Sequence, residues 1–263
     1  MRLSFAVLVL TFASPASGEE PKYNRQEDLI YGRKFGTALT LDVIAPKKNA
    51  NGAAVIWAVS GGWVSSHGAV NPLLYQELID RGYTVFAVVH GSQPKFSVPE
   101  CVEDMQRAVR FVRHEAKRFG VDPNRIGVSG GSAGGHLSLM LGTTGADANP
   151  EAKDPVDQES SRVQAVACFF PASDFLNFGK QGQQAIGDGP LSGFKAPFDF
   201  TEYNPKTRSF DPVTDPEKRR EFGKKISPVY HGPASPNCTR STAGSRSPTE
   251  IAMMGVLSEL PTV

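Results

Sequence analysis

In the stretch Arg125-Ile-Gly-Val-Ser-Gly-Gly-Ser-Ala-Gly-Gly-His136 the hydroxyl of Ser132 stands between two pairs of glycines, Gly130-Gly131 and Gly134-Gly135. Its pentad Gly130-Gly131-Ser132-Ala133-Gly134 fits G-x-S-x-G. Small residues at those positions let a strand turn sharply into a helix and hold the serine strained and exposed, ready to attack a carbonyl carbon. The competing reading is a glycine-rich structural turn. A turn alone has no need of four glycines around one serine.

The elements that would position Ser132 are legible on both sides of it. Asp122-Pro123-Asn124 is a turn signal, and Arg125-Ile126-Gly127-Val128 is the short apolar run of a buried parallel strand. After the serine, Leu137, Leu139, Met140 and Leu141 make an apolar helix of the kind packed at a domain centre. Further upstream, Leu29–Lys34 and Ala38–Ile44 alternate in period two around Phe35-Gly36-Thr37, which predicts an antiparallel hairpin at a sheet edge, ended by Pro46. Ala53–Val59 is apolar throughout, as strands covered on both faces are, and leads into Ser60-Gly61-Gly62-Trp63. A helix over Leu73–Ile79 closes at Gly82, and Tyr83–Val89 is the next strand.

Pro99 then opens a longer helix whose stripe Val102, Met105, Val109, Val112, Ala116 and Phe119 recurs at three- and four-residue steps, with Gly120 as its stop. Alternating strands and helices predict an α/β fold: a mostly parallel central sheet with helices on both faces. In such sheets chemistry gathers beyond the carboxyl ends of the strands, where both Ser60-Gly61-Gly62 and Ser132 fall.

The 263 residues are 40% hydrophobic and 21% charged with a formal charge of +1, which fits one large α/β domain and gives no sign of a nucleic-acid partner. No glycine-rich phosphate loop with a lysine is present, so nucleotide binding has no support. Residues 1–18 combine the cationic head Met1-Arg2, an apolar run to Ala13 too short to span a bilayer, and Ala16-Ser17-Gly18 before Glu19. That pattern predicts a secretory signal peptide, hence a secreted or periplasmic protein without a stable membrane anchor, against an uncleaved anchor or a buried strand. The three cysteines, Cys101, Cys168 and Cys238, have no C-x-x-C spacing, so no zinc site or disulfide framework is indicated. Cys168 reads as a packed core residue.

With these elements in order, the chain from Leu29 to His231, within a domain placed at residues 19–231, resembles the α/β-hydrolase family, and in particular its small feruloyl-esterase-like, kynurenine-formamidase-like and hormone-sensitive-lipase-like esterases. Gly61-Gly62-Trp63, Arg81-Gly-Tyr-Thr-Val, Glu103-Asp104 with Ala108-Val-Arg-Phe111, Val121-Asp-Pro-Asn-Arg-Ile126 and the elbow carry the resemblance. It implies a serine carboxylic ester hydrolase acting on a small-molecule ester, with Ser132 as nucleophile and no metal or organic cofactor. Prolyl-peptidase-like amide hydrolysis is the nearest alternative on this fold. The resemblance also implies an oxyanion hole made by the amides of Gly61, Gly62 and Ala133, and a substrate-lining role for Trp63. The family's usual His-Gly-Gly-Gly-Trp here reads Val59-Ser-Gly-Gly-Trp63. Oligomeric state is left open.

Triad partners should follow the serine in the order carboxylate, then histidine. After Ser132 come only His136, four residues into the elbow helix, and His231, after the phrase Ile226-Ser-Pro-Val-Tyr230 that resembles the family's lead-in to its acid-bearing strand. His136 reads as a core or supporting residue, His231 as a loop residue, and Asp174 as a structural acceptor of backbone amides. His67, His90 and His114 precede the serine. Triad acid and base are therefore not assigned, and the fold is expected to lack its last strands. An alternative follows: a catalytically incomplete relative or truncated product.

Two segments depart from the regular pattern. Residues 171–225, rich in Phe, Pro, Gly and charge, read either as a lid-like insertion or as a long loop with one polar helix. From Gly232 to Glu250 no aliphatic residue larger than alanine occurs where a strand is due. The tail 232–263 is thus either native and disordered or read in a shifted frame. Thr249-Glu250-Ile251 is encoded ACN-GAR-ATH, and one base earlier gives NAC-NGA-RAT, which admits His-Gly-Asp; Ala252-Met253-Met254 then admits Ser-Asp-Asp. The result has the family's His-Gly-Asp-x-Asp form.

Overall fold

A computed structural model describes residues 21–93, 95–185, 189–194 and 201–232. The signal-peptide segment and the tail beyond residue 232 lie outside them. The first two strands are β1 (Tyr23–Lys34) and β2 (Thr37–Pro46), paired antiparallel from Lys34↔Thr37 to Tyr23↔Pro46. They are joined through Phe35 and Gly36, both left-handed at φ 45° and 74°. Such a two-residue turn matches the right-handed twist of the strands it connects. The predicted hairpin is present, though longer than its alternating cores.

Next come β3 (Ala54–Val59), β4 (Thr84–Val89), β5 (Ile126–Gly131) and β6 (Ala165–Phe169). The six-stranded sheet runs β1-β2-β4-β3-β5-β6; β2 meets β4 antiparallel, and the remaining pairs from β4 to β6 are parallel. The parallel strands are β-branched and apolar because both their faces are covered. One core sets Ile56, Ala58, Phe86 and Val88 against Met105, Val109, Leu137 and Leu141. The opposite core sets Val55, Val59, Val85 and Ala87 against Tyr75 and Ile79. Helices α2 (Val98–His114) and α4 (Ala133–Thr144) therefore cover one face, and α1 (Gln76–Asp80) the other.

The helix opened by Pro99 begins one residue earlier, where Ser97 and Glu100 form a reciprocal capping box. It does not run unbroken to Phe119. Glu115 interrupts it with ψ near 12°, and α3 (Ala116–Phe119) follows, ended by left-handed Gly120 at φ 66°. The predicted helix over 73–79 divides similarly, into a 3-10 turn at Pro72–Tyr75 and α1. Asn71 caps that turn by accepting from the Leu73 amide.

Among the described residues β6 is the last strand of the sheet, and its side chains are only half-buried. Within 171–225 the structure shows more order than the irregular sequence suggested. A hairpin joins β7 (Thr201–Asn204) to β8 (Ser209–Pro212), with the rings of Tyr203 and Phe210 5.4 Å apart. Helix α5 (Pro216–Lys225) starts at Asp215, whose carboxylate accepts from the amides of Glu217 and Lys218. No helix among the described residues is long and apolar enough to cross a membrane.

Candidate active site

Ser132 stands between the end of β5 and the start of α4, with φ 52° and ψ −118°. That is the first-corner geometry of a type II′ turn, which glycine prefers, and holding a serine there costs of order 1–3 kcal/mol. Two backbone bonds hold it: the Ser132 amide donates to the Phe169 carbonyl at 2.9 Å, and the His136 amide donates to the Ser132 carbonyl at 2.9 Å. The side chain is exposed, and among the described residues its hydroxyl has no hydrogen-bond partner.

The surrounding glycines serve close approach more than the turn itself. A Cβ on Gly134 would stand 2.5 Å from the Ala58 carbonyl oxygen, and one on Gly130 2.7 Å from the Gly134 carbonyl. Helix α4 thus lies with its backbone directly on β3. By contrast, a Cβ on Gly131 would meet nothing nearer than Phe169 Cβ at 3.9 Å, an ordinary contact.

Beyond β3, Gly61 to Val64 closes a tight turn. The Gly61 amide donates to the Val64 carbonyl and the Val64 amide to that of Gly61, both at 3.0 Å. Gly62 and Trp63 at its corners are left-handed, φ 56° and 60°, the geometry of a type I′ turn. Of the three amides expected to form an oxyanion hole, one is spent inside this turn. The Gly61 amide is committed to Val64, whereas among the described residues the Gly62 and Ala133 amides have no acceptor. Ala133 opens α4, where an amide has no carbonyl one turn back.

Trp63 also departs from expectation. Its side chain is interior, with the residue 3% exposed, and its indole Nε1–H donates to Nδ1 of His136 at 3.2 Å. Its ring packs on Phe175 and Phe194 with centroids 6.1 Å away in each case. Trp63, with its left-handed backbone, points its side chain into the interior. The exposed aromatic beside the turn is Phe194, from the 171–225 segment: a Cβ on Gly62 would meet its Cε1 at 2.5 Å. Gln93 secures the turn from β4's side, its Nε2 donating to the Gly62 carbonyl at 2.7 Å and its amide to the Trp63 carbonyl at 3.2 Å. Thirty residues of separation hide that contact from the sequence.

The candidate triad partners are occupied elsewhere. His136 is fully buried; Nδ1 accepts from Trp63, and Nε2 contacts the Ile226 carbonyl at 2.7 Å. Indole only donates and a carbonyl only accepts, so the proton must sit on Nε2. Burial pulls its pKa down to about 4. His231 places Nε2 2.8 Å from the Lys225 carbonyl at the end of α5. Asp174 Oδ1 accepts from the amides of Leu176 and Asn177 at 2.9 and 3.1 Å, and its Oδ2 from Asn177 Nδ2 at 2.9 Å. Burial pushes the Asp174 carboxyl upward, but these bonds outweigh it and hold the pKa below the ordinary carboxylate value. It serves as the structural acceptor its position predicted.

Both described thiols are held away from the thiolate form. Cys101 is buried with Sγ donating to the Gly91 carbonyl, and burial raises its pKa to about 12; burial raises that of Cys168 in β6 to about 11. Glu27, Asp42 and His67 place ligand-type atoms within 4.8 Å of one another. Arg25 Nε already donates to Asp42 Oδ2 there at 2.9 Å, which neutralises the carboxylate in place.

With this geometry in view, the chain's relatives are informative. The BD-FAE family model matches residues 41–232. A probable carboxylic ester hydrolase, LipM of Mycobacterium tuberculosis, is 32% identical over 158 residues, which are 58% of this chain and 36% of LipM. Isoprenylcysteine alpha-carbonyl methylesterase ICME of Arabidopsis thaliana is 28% identical over 72% of this chain and 44% of its own length. The chain thus spans less than half of either curated relative. Among solved structures, a truncated carbohydrate esterase from gut microbiota superposes with TM-score 0.60 at 22% identity, covering 81% of this chain and 74% of that one. Esterase 2 of Thermogutta terrifontis, phosphoramylated by tabun, gives TM-score 0.54 at 23% identity, covering 83% and 69%. These likenesses show the fold. The chain belongs to the BD-FAE family and has the α/β-hydrolase fold, with Ser132 at its strand-to-helix elbow.

Proposed function

We propose that this chain is the nucleophile-bearing part of an exported serine hydrolase that cleaves carboxylic esters of small molecules. The observation that carries the reading is the strained, exposed Ser132, set among small residues between β5 and α4. Ser132 Oγ adds to the ester carbonyl as its proton passes to a base that the described residues do not supply, the Gly62 and Ala133 amides receive the developing oxyanion, and collapse expels the alcohol to leave an acyl-serine that water cleaves to the acid. Phe194, in place of Trp63, lines the substrate side. Family membership and esterase relatives such as LipM favour ester over amide hydrolysis. Export rests on the Met1–Gly18 pattern.

A second reading is favoured by one observation: both histidines after Ser132 spend Nε2 on backbone carbonyls. On it, the chain as written lacks a base and is catalytically incomplete. We connect the two readings through the reading frame, because the family match ends at residue 232, where the composition changes. Nucleotide sequence past codon 231 decides this; codons at Thr249-Glu250-Ile251 incompatible with His-Gly-Asp sink the frame shift. Incubation of the folded chain with a fluorophosphonate probe decides activity. Labelling abolished by Ser132→Ala supports the hydrolase, and silence of folded protein supports the incomplete relative.

A further inference from the structure

His136 touches three chain segments that are remote in sequence. Its backbone amide bonds Ser132, its Nδ1 bonds Trp63 across 73 positions, and its Nε2 bonds Ile226 across 90. Each segment adjoins the site: the elbow, the turn carrying Gly62, and the end of α5. Ser227, next to Ile226, is itself buried, accepting from the Phe175 amide at 2.9 Å. Phe175 in turn packs edge-on against His136 with centroids 5.1 Å apart.

The Gly61–Val64 turn needs such a hold. It places a tryptophan at φ 60°, a left-handed conformation that is strained for any non-glycine residue. Anchoring the indole offsets that strain. The Gly62 amide sits one residue before this anchored ring, and Ala133 lies three residues before His136 on α4.

We propose that His136 is a positioning residue: a neutral strut that fixes the Gly61–Val64 turn to the nucleophile helix, so that the Gly62 and Ala133 amides keep one spacing. It does not exchange protons with Ser132, because neither ring nitrogen is free to do so. Burial keeps the ring neutral and so preserves Nδ1 as the acceptor the indole requires. The catalytic half of this inference rests on the proposed role of Ser132; the structural half stands without it.

The test is amide hydrogen exchange by NMR on the full chain, comparing wild type with His136→Leu and His136→Gln. Leucine fills space without polar atoms. Glutamine offers both an acceptor for the indole and a donor for Ile226. In His136→Leu the Gly61 and Val64 amides should exchange about 10-fold faster or more, while Ile56 and Phe86 in β3 and β4 stay protected. His136→Gln should recover most of that protection. Unchanged exchange at Gly61 and Val64, or equal acceleration in β3 and β4, overturns the strut. If His136→Leu does not fold, Trp63→Phe removes the indole donor alone and is judged by the same amides.

Fluorophosphonate labelling adds the catalytic readout. Labelling of Ser132 that slows about 10-fold or more in His136→Leu and recovers in His136→Gln supports positioning. Labelling equal in all three variants overturns it. An unlabelled wild type sinks the reading of Ser132 as an active nucleophile, while the exchange measurement still decides the strut.

Discussion

The indole N–H of Trp63 meets Nδ1 of His136 at 3.2 Å, so the turn after β3 and the helix after Ser132 share one buried hydrogen bond. That bond fixes the tautomer of His136 and removes it from the list of possible bases. Several measurable consequences come from the same neighbourhood.

The two glycines of the turn should respond differently to alanine. Gly62 is left-handed, and its Cβ would overlap the Phe194 ring, whereas a Cβ on Gly61 would meet nothing within 4 Å. Gly62→Ala should therefore cost about 1–2 kcal/mol and abolish any fluorophosphonate labelling. Gly61→Ala should cost under about 0.5 kcal/mol. Urea unfolding of the pair measures the contrast, and equal midpoints would contradict the turn geometry.

Packing of α4 on β3 makes Gly134 less tolerant. Its Cβ would stand 2.5 Å from a backbone carbonyl of the central sheet, which cannot rotate away. Gly134→Ala should lose roughly 1–3 kcal/mol and lower the thermal midpoint, while Gly131→Ala, with ordinary contact distances, should be far milder. The ranking is read from paired thermal scans.

Acid should destabilise the fold before its carboxylates protonate. Burial lowers the pKa of both His136 and His90 to about 4, against 6.5 when unfolded. The folded values lie below the unfolded one, so between them the unfolded chain binds more protons and stability falls as pH falls. Each histidine should contribute a slope of about 1.4 kcal/mol per pH unit from 6.5 down to 4. Replacing His90 with leucine should flatten the unfolding free energy across that window; a slope unchanged from wild type would contradict the assignment.

Asp104 is a buried charge whose partners are both fixed. It accepts from the Gly91 amide at 2.8 Å and pairs with Lys34 Nζ at 2.7 Å. Burial raises its pKa, and the Lys34 contact opposes that rise. Asp104→Ala leaves the Gly91 amide without its acceptor and a mostly buried ammonium without its counter-ion, and should cost roughly 3–5 kcal/mol. Pairing Asp104→Leu with Lys34→Met should recover much of the loss, as chemical denaturation of the single and double variants would show.

Local pattern made much of this protein legible. Strands β3 and β4 and the start of β5 were visible because strands covered on both faces are apolar. The elbow was visible because a serine at a left-handed corner on a helix packed backbone to backbone tolerates only small neighbours. Asp174 was read as an amide acceptor through the family resemblance, and its bonds to the Leu176 and Asn177 amides stay within three residues. The β7–β8 hairpin was not, since its Tyr203–Phe210 contact lies in a polar, Pro-broken stretch without a clean alternation.

By itself the sequence determined the central strands and the glycine-walled elbow at Ser132, because each is written in residues close along the chain. Only the tertiary structure decided that Gly61 spends its amide on Val64, that Trp63 faces inward and that both nitrogens of His136 are taken. The first follows from the left-handed backbone at Gly62 and Trp63, and the other two from rings and carbonyls that arrive from tens of residues away. A donor's direction follows from the backbone torsions and neighbours of the folded chain, and residue type alone does not set them.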